Sequence, residues 1–405
     1  MQGQTSPQAM AQMSLEPLEE RLAMKNPSQK MFIGIPRETA FQEKRIALTP
    51  ESTALLINNG HRIVMESQAG LGAHYKDSDY SETGVEIAYD LKKVYEADII
   101  LKVAPPSLEE IDMLHPLQVL FSPIHLPMMQ SDYLAHLMRK QVTGIAFEYI
   151  KDEYGSFPIV RTLSEIAGSS VIYIAAEYLS NSHGGQGILL GGISGIPPAR
   201  IVVLGAGVVG EYVTRTALGL GADVHVFDSS IFKLMRLQKN LGRHVFTSII
   251  NPETLRKELA QADIAVGAIH SELGRAPCVV TEAMVAAMRA GSVIIDVSID
   301  QGGCFETSRV TNHLQPTFRQ HDVIHYCVPN IAARVSKTAS QAISNVLAPL
   351  LLESHEQGGL EKYLRFHKAA RHGVYVYKGK LTNQFLSERF GMRFTNLDLL
   401  MTAGF

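Results

Sequence analysis

Cysteine is scarce in this chain: three residues in 405, Cys278, Cys304 and Cys327, with no CxxC spacing among them. An odd number without metal-ligand spacing argues against a disulfide framework and against a zinc site, and it suits a reducing, cytoplasmic compartment. Net charge is equally slight. The 37 Lys and Arg against 40 Asp and Glu leave −3, which argues against bulk nucleic-acid binding. Long apolar runs are missing too, since stretches such as 171–176 and 346–352 are broken by polar residues or proline well before the roughly 20 residues that span a bilayer. No membrane helix is expected. What remains is an ordinary globular composition, 46% hydrophobic and 19% charged, in a chain long enough for two or three domains with cores of their own.

Residues 1–30 are rich in Gln, Ser, Pro and Met and lack the apolar segment of a secretory signal, so they read as a mobile extension. From Met31 onward, short apolar runs alternate with helix-length segments in two blocks, the pattern of β-α units around mainly parallel sheets. The first block predicts strands at 32–35, 62–66, 98–103, 118–122 and 143–147. The second predicts them at 201–204, 223–227, 264–269, 293–297 and 323–328. Two long apolar helices flank the second block, one at 164–181 opened by Ser164 and the glutamate after it, the other at 336–353 and interrupted late by Pro349. The reading is an α/β chain of two Rossmann-like doubly wound domains. A substrate domain takes residues 31–160 and 337–405, and a dinucleotide-binding domain of residues 161–336 is inserted into it.

The second block opens on RIVVLGAGVVGEYVTRTALGLGADVHVFD, residues 200–228, where Gly205, Gly207 and Gly210 supply GxGxxG between a strand and a helix. Gly205 permits the tight turn, Gly207 lets backbone approach a pyrophosphate, and Gly210 allows the helix to pack on the sheet. Ala206, Val208 and Val209 complete a loop whose backbone N–H groups face the anion. Asp228, at the end of the next strand, suits a ribose 2′-hydroxyl and repels a 2′-phosphate, favouring NAD over NADP, a preference that nearby Lys233 softens. Three further clusters stand at strand ends. Arg45, in Glu43-Lys44-Arg45, is suited to clamping a carboxylate, His125 to acid–base work, and Asp300 to the cofactor cleft. Each has a plainer reading as well: a solvated surface charge, a structural histidine, an Asx-type turn. Cys304 lacks an evident base and reads as a small buried hydrophobe. No metal-ligand spacing is present, so no metal is expected.

The segments MFIGIPRE (31–38), RIALTP (45–50), IHLP (124–127), TLSEIAG (162–168), GGISG (191–195), VVLGAGVVG (202–210) and IDQGGCFE (299–306) together resemble the alanine dehydrogenase family, which shares its fold with the NAD-binding component of proton-translocating transhydrogenase. The likeness extends over about residues 31–400. It implies reversible oxidative deamination of L-alanine to pyruvate and ammonium, with NAD as cofactor and a homohexamer built through the long helices. By the resemblance His125 is the catalytic acid–base and Asp300 its partner near the nicotinamide. Arg45 is the carboxylate clamp, Asp228 the ribose ligand, Ser164 a residue of the cofactor cleft, and Asn330 a neighbour of the substrate. One departure bears on substrate. Where the family usually has KVKEP this chain has KVAPP, so the second lysine is Ala104; Lys102, two residues earlier on the same strand face, is the candidate replacement. Ala332 and Ser336 also stand where the family often has proline. The resemblance leaves room for a transhydrogenase component, for a noncatalytic NAD-binding protein, and for a different 2-oxo acid, as in the fold-related saccharopine dehydrogenases.

Overall fold

In the computed structural model, which describes residues 30–124, 129–271 and 274–402, the first block forms strands β1 (Phe32–Ile35), β2 (Arg62–Glu66), β3 (Glu86–Ala88), β4 (Ile99–Leu101), β5 (Val119–Phe121) and β6 (Thr143–Ile145). The second forms β7 (Arg200–Leu204), β8 (Asp223–Asp228), β9 (Phe246–Ile249), β10 (Ile264–Gly267), β11 (Val293–Asp296), β12 (Thr317–Gln320) and β13 (Val323–Tyr326). The chain then returns, and β14 (Val374–Tyr377) and β15 (Lys380–Leu381) join the first sheet, whose order is β15-β14-β6-β5-β4-β1-β2-β3. The second sheet runs β12-β13-β11-β10-β7-β8-β9. Pairing is parallel except where β14 meets β6 and β15 and where β12 meets β13. One α/β unit is thus inserted into another, as the alternating pattern predicts.

Both sheets reverse direction of winding beside their first strand: β1 lies between β2 and β4, and β7 between β8 and β10. The connections leaving such neighbours diverge to opposite faces, opening a crevice at the strands' carboxyl ends. Residues 36–50 follow β1 and residues 102–106 follow β4, while the glycine loop follows β7. The strands that position these loops are doubly buried and rich in Ile and Val, with Ile33, Ile35, Val202 and Val203 at most 1% exposed. Strands β3, β9 and β12 escape sequence reading because they lie at sheet edges and are only partly covered. They carry no continuous apolar run.

The long helices differ from expectation. Helix α1 (Pro158–Leu179) begins six residues before Ser164, with Pro158 in its first turn, where a missing N–H costs nothing. Ser164 is therefore an interior helical residue and not a start. By length and composition α1 is apolar enough to cross a membrane, contrary to the expectation that no segment is. Its Val171, Ile172, Ala175 and Leu179 instead pack into the core under the second sheet. Its Gly168 lies so close to helix α2 (Val208–Gly219) that a Cβ there would stand 2.6 Å from the Val209 carbonyl oxygen. Helix α3 (Ser336–Glu356) continues through Pro349. Burial of Leu347, Ala348 and Leu351 on one face outweighs the roughly 3 kcal/mol a helical proline costs.

Candidate functional site

The glycine loop turns tightly between β7 and the helix that follows it. Gly205 sits at φ 110° with the Ala268 carbonyl oxygen 2.4 Å from where a Cβ would be, and a Cβ on Gly210 would lie 1.8 Å from the Gly205 carbonyl oxygen. Both positions demand glycine for the fold itself. At Gly207, the residue capping the N-terminus of α2, a Cβ would meet no protein atom within 4 Å. The smallness of that residue thus keeps space open where the helix N-terminus can receive pyrophosphate. Val208 and Val209 form the first turn of α2, half-buried. Asp228 is buried at the end of β8, where its Oδ2 accepts from the Ala206 N–H at 2.7 Å and its Oδ1 from the Ser230 N–H at 2.8 Å. The carboxylate therefore shapes the loop. Lys233 is exposed, and its N–H donates to the Ser230 hydroxyl. Ser164 is half-buried on α1, one turn before the close approach at Gly168.

Three of the residues singled out in the sequence meet through a fourth. Arg45 is 5% exposed and binds Glu43 bidentately, Nε to Oε1 at 2.8 Å and Nη2 to Oε2 at 2.6 Å. The same Glu43 Oε2 accepts from Asn330 Nδ2 at 3.1 Å, and the Asn330 N–H donates to Asp300 Oδ1 at 3.3 Å. Asn330 holds a left-handed backbone, φ 56°, which asparagine tolerates better than most residues. Asp300 lies in a 3-10 turn after β11, open to the cleft yet walled by protein. Loss of hydration raises its carboxyl to about 6, against the Asn330 hydrogen bond and the Arg45 charge, which pull the other way. The Glu43 carboxyl is held low despite its burial, chiefly by the Arg45 guanidinium and two backbone N–H groups.

Two groups that sequence reasoning passed over hold these loops in place. Asp296, fully buried at the end of β11, accepts from the Cys304 N–H at 2.9 Å and the Ser308 hydroxyl at 2.6 Å, closing the loop that carries Asp300. Cys304 is buried against it, and burial raises its thiol well above the usual range, so it is no nucleophile. On α3, Ser340 and Ser344 are buried and accept from the Ile46 and Thr49 N–H groups at 2.9 and 3.0 Å, while the Ser336 hydroxyl donates to the Gly72 carbonyl at 2.8 Å. The three serines lie four residues apart on one helix face; Ser340 and Ser344 fasten the segment bearing Arg45, and Ser336 holds the turn at Gly72. That spacing was visible in the sequence; its target was not.

Lys102 departs from expectation. Its ammonium is buried and fully occupied: 2.8 Å to Glu110 Oε1, 3.3 Å to Glu38 Oε2 and 3.5 Å to the Arg37 carbonyl oxygen. Three protons with three protein acceptors leave none for a substrate carboxylate. Ala104 is buried, and its N–H donates to Glu38 Oε2 at 3.3 Å. His125 lies outside the described residues, as does the extension up to residue 29. The residue before it, Ile124, is described, and its N–H donates to Glu148 Oε1 at 2.7 Å. A cavity of about 240 Å³ beside Arg45 is lined by Glu38, Glu43, Lys44, Gln68 and Gly72 among others.

Comparison with known proteins agrees with this geometry. The model "Alanine dehydrogenase/PNT, N-terminal domain" matches residues 34–167, and "Alanine dehydrogenase/PNT, C-terminal domain" matches residues 171–384. Alanine dehydrogenase of Halomonas elongata is 37% identical over 365 residues, covering 90% of this chain and 98% of that protein. Alanine dehydrogenase 2 of Staphylococcus aureus is 36% identical over 369 residues, 91% of this chain and 99% of its own. A solved L-alanine dehydrogenase superposes with a TM-score of 0.85 at 36% identity, over 89% of this chain and 99% of that one. A transhydrogenase from Sinorhizobium meliloti, with a TM-score of 0.75 at 23% identity over 87% and 99%, shares the fold. Glycine loop, Arg45 segment and Asp300 loop together with these matches establish that the chain belongs to the alanine dehydrogenase/PNT family.

Proposed function

We propose that this chain catalyses the reversible, NAD-dependent oxidative deamination of L-alanine to pyruvate and ammonium. The observation that carries the reading is the linked set Arg45, Glu43, Asn330 and Asp300, which draws residues 43–45 of the first sheet's loops onto residues 300 and 330 of the second sheet's loops. A carboxylate clamp and a cleft carboxyl are thereby coupled across one crevice. Gly205, Ala206, Gly207, Val208, Val209 and Gly210 would cradle the pyrophosphate, with Asp228 toward the ribose, Lys233 at the rim and Ser164 toward the cleft. The bound nicotinamide supplies hydride exchange with the substrate's α-carbon.

In the synthetic direction the pyruvate carboxylate is held at Arg45, whose Nε and Nη2 face Glu43 and whose Nη1 edge serves the ligand. Protonated His125 polarises the carbonyl oxygen, ammonia adds, and water leaves. The iminium that forms is cationic, and ionised Asp300 stabilises it. In the reverse direction neutral His125 accepts a proton as water adds to the iminium. Asn330 keeps Asp300 and the Arg45–Glu43 pair in register. His125→Ala then abolishes turnover with NADH affinity nearly intact; equal loss of both makes the residue structural.

The direct test follows NADH absorbance on mixing with ammonium and pyruvate, then glyoxylate, 2-oxobutyrate and 2-oxoglutarate, with and without ammonium. Ammonium-dependent oxidation with pyruvate establishes the reading. Silence across the panel with NADH still bound favours the transhydrogenase-like or noncatalytic alternatives. The proposal includes a cytoplasmic homohexamer. Exposed Tyr173 on α1 and exposed Leu189, Ile193 and Ile196 after it support association of identical chains, and sedimentation measures the number. Free Cys278, Cys304 and Cys327 are compatible with a reducing compartment.

A further inference from the structure

The cavity beside Arg45 has a second wall whose chemistry the reaction above does not use. Glu38 lines it, with its side chain only 7% exposed. The carboxyl accepts from the Val103 N–H at 2.5 Å and the Ala104 N–H at 3.3 Å, and it shares the Lys102 ammonium with Glu110. Glu110 is the better served of the two, receiving the shorter Lys102 contact, the Ser107 N–H at 2.7 Å and the Thr39 hydroxyl at 3.2 Å. Two carboxyls around one buried ammonium hold a surplus negative charge, and low-dielectric surroundings relieve it by retaining a proton on the less favoured one. That one is Glu38, and it faces the cavity. A carboxylate bound at Arg45 gains no charge from position 104, which is alanine, or from Lys102, whose protons are all taken; of the other cations at the cavity wall, Arg37 pairs with Glu66 and Lys44 is exposed.

We propose that Glu38 is a substrate-binding residue which, in its protonated form, presents a neutral hydrogen-bond donor to the carboxylate of the bound 2-oxo acid, so that at alkaline pH binding takes up a proton from solvent onto Glu38. The inference rests on the dehydrogenase reading for its choice of ligand. Burial, the largest influence, lifts the Glu38 carboxyl to about 7 against the pull of Lys102 and the Val103 N–H, and Glu43 adds to the rise. The other charged or titratable groups around it are Arg37, Lys44 and Arg45 at the cavity wall, Glu110 on the adjoining helix and Tyr95 behind. A bound anion favours the neutral carboxyl further. Affinity for the anion is then full below pH 7 and falls above it, by as much as tenfold per pH unit from this one proton.

The test measures the KM for pyruvate, and the proton uptake on binding of oxamate to the NADH complex, from pH 6.5 to 9 in the full-length protein and in Glu38→Gln. Glutamine keeps the acceptor for Val103 and mimics the protonated acid at every pH. The slope of log KM against pH is expected to be smaller by up to one in the variant, with correspondingly less proton uptake. Uptake that survives belongs to His125 or Asp300. Equal slopes and equal uptake in both proteins overturn the proposal, as does failure of oxamate to bind. If Glu38→Gln does not fold, His125→Gln at pH 8, well above the range of Asp300, isolates the same proton; its absence there overturns the proposal. Turnover with ammonium reports separately on the dehydrogenase reading, which stands or falls whatever Glu38 does.

Discussion

At the scale of single residues, the cleft trades stability for charge placement. Asp300 titrates at about 6 in the fold against an ordinary 3.8, so the folded chain holds that proton more tightly than the unfolded one. Its contribution to stability is full below about pH 4 and lost as the pH rises through 6. Asp300→Asn removes that loss, and thermal melts from pH 3.5 to 8 are expected to show the variant gaining on the parent between about pH 4 and 6, with the difference levelling off above 6. The gain stays below the full value of the shift, because the carboxyl opens onto solvent. Turnover moves the other way: the parent loses activity below pH 6 as the carboxyl is neutralised, and the variant is slow throughout. Arg45 invites a second substitution. Arg45→Lys cannot reproduce the fork that meets Glu43 with two bonds. The KM for pyruvate is expected to rise roughly tenfold or more, about 1.4 kcal/mol, with NADH affinity unchanged, and steady-state kinetics beside NADH titration check both.

At the scale of elements, two glycines of one loop separate folding from binding. Gly210→Ala drives a methyl into the Gly205 carbonyl, an overpacking that costs about 1–3 kcal/mol or more, and denaturant melts report it. Gly207→Ala meets no protein atom, so stability stays within about 0.5 kcal/mol while NADH affinity falls, because the methyl occupies the pyrophosphate's approach. The serine face of α3 behaves differently from both. Ser340→Ala leaves the Ile46 N–H buried without its acceptor, at about 1–3 kcal/mol, and loosens the segment that carries Arg45. Its signature is a lower melting point together with a higher KM for pyruvate; a melting change alone means that the serine serves the fold and not the clamp.

At the scale of the whole molecule, the two domains are coupled through shared helices. The N-terminal turn of α1 puts Ile159 into the core of the first sheet, and the same helix puts Val171, Ile172, Ala175 and Leu179 into that of the second. Helix α3 follows the second sheet and buries Ile343, Leu347 and Leu351 in the first core. Melting one domain therefore unwinds a helix of the other. A single calorimetric transition is expected, displaced as a whole by NADH, with about 2.7 kcal/mol added at a hundred times Kd. Two separated transitions, only one moving with NADH, contradict this coupling.

The glycine loop and Asp228 were readable because strand, turn and helix of a dinucleotide site follow one another within 30 residues, and each glycine answers a local steric demand. Most strands were readable for a related reason, since burial on both faces writes an apolar run into consecutive residues. Edge strands leave no such mark, and a proline at a helix start outranked the serine six residues later. Arg45, Asp300 and Asn330 were each nameable, but not their union, because the Glu43–Asn330 bond joins residues 287 positions apart. Lys102 shows the limit most plainly. Its type and strand face were legible, yet whether its charge was free for a ligand depended on Glu38 and Glu110 arriving beside it in a buried place. Local propensity reaches about one turn of helix or one strand along the chain. Which charges cancel, and which remain to meet a substrate, is decided only when tertiary packing removes water from between them.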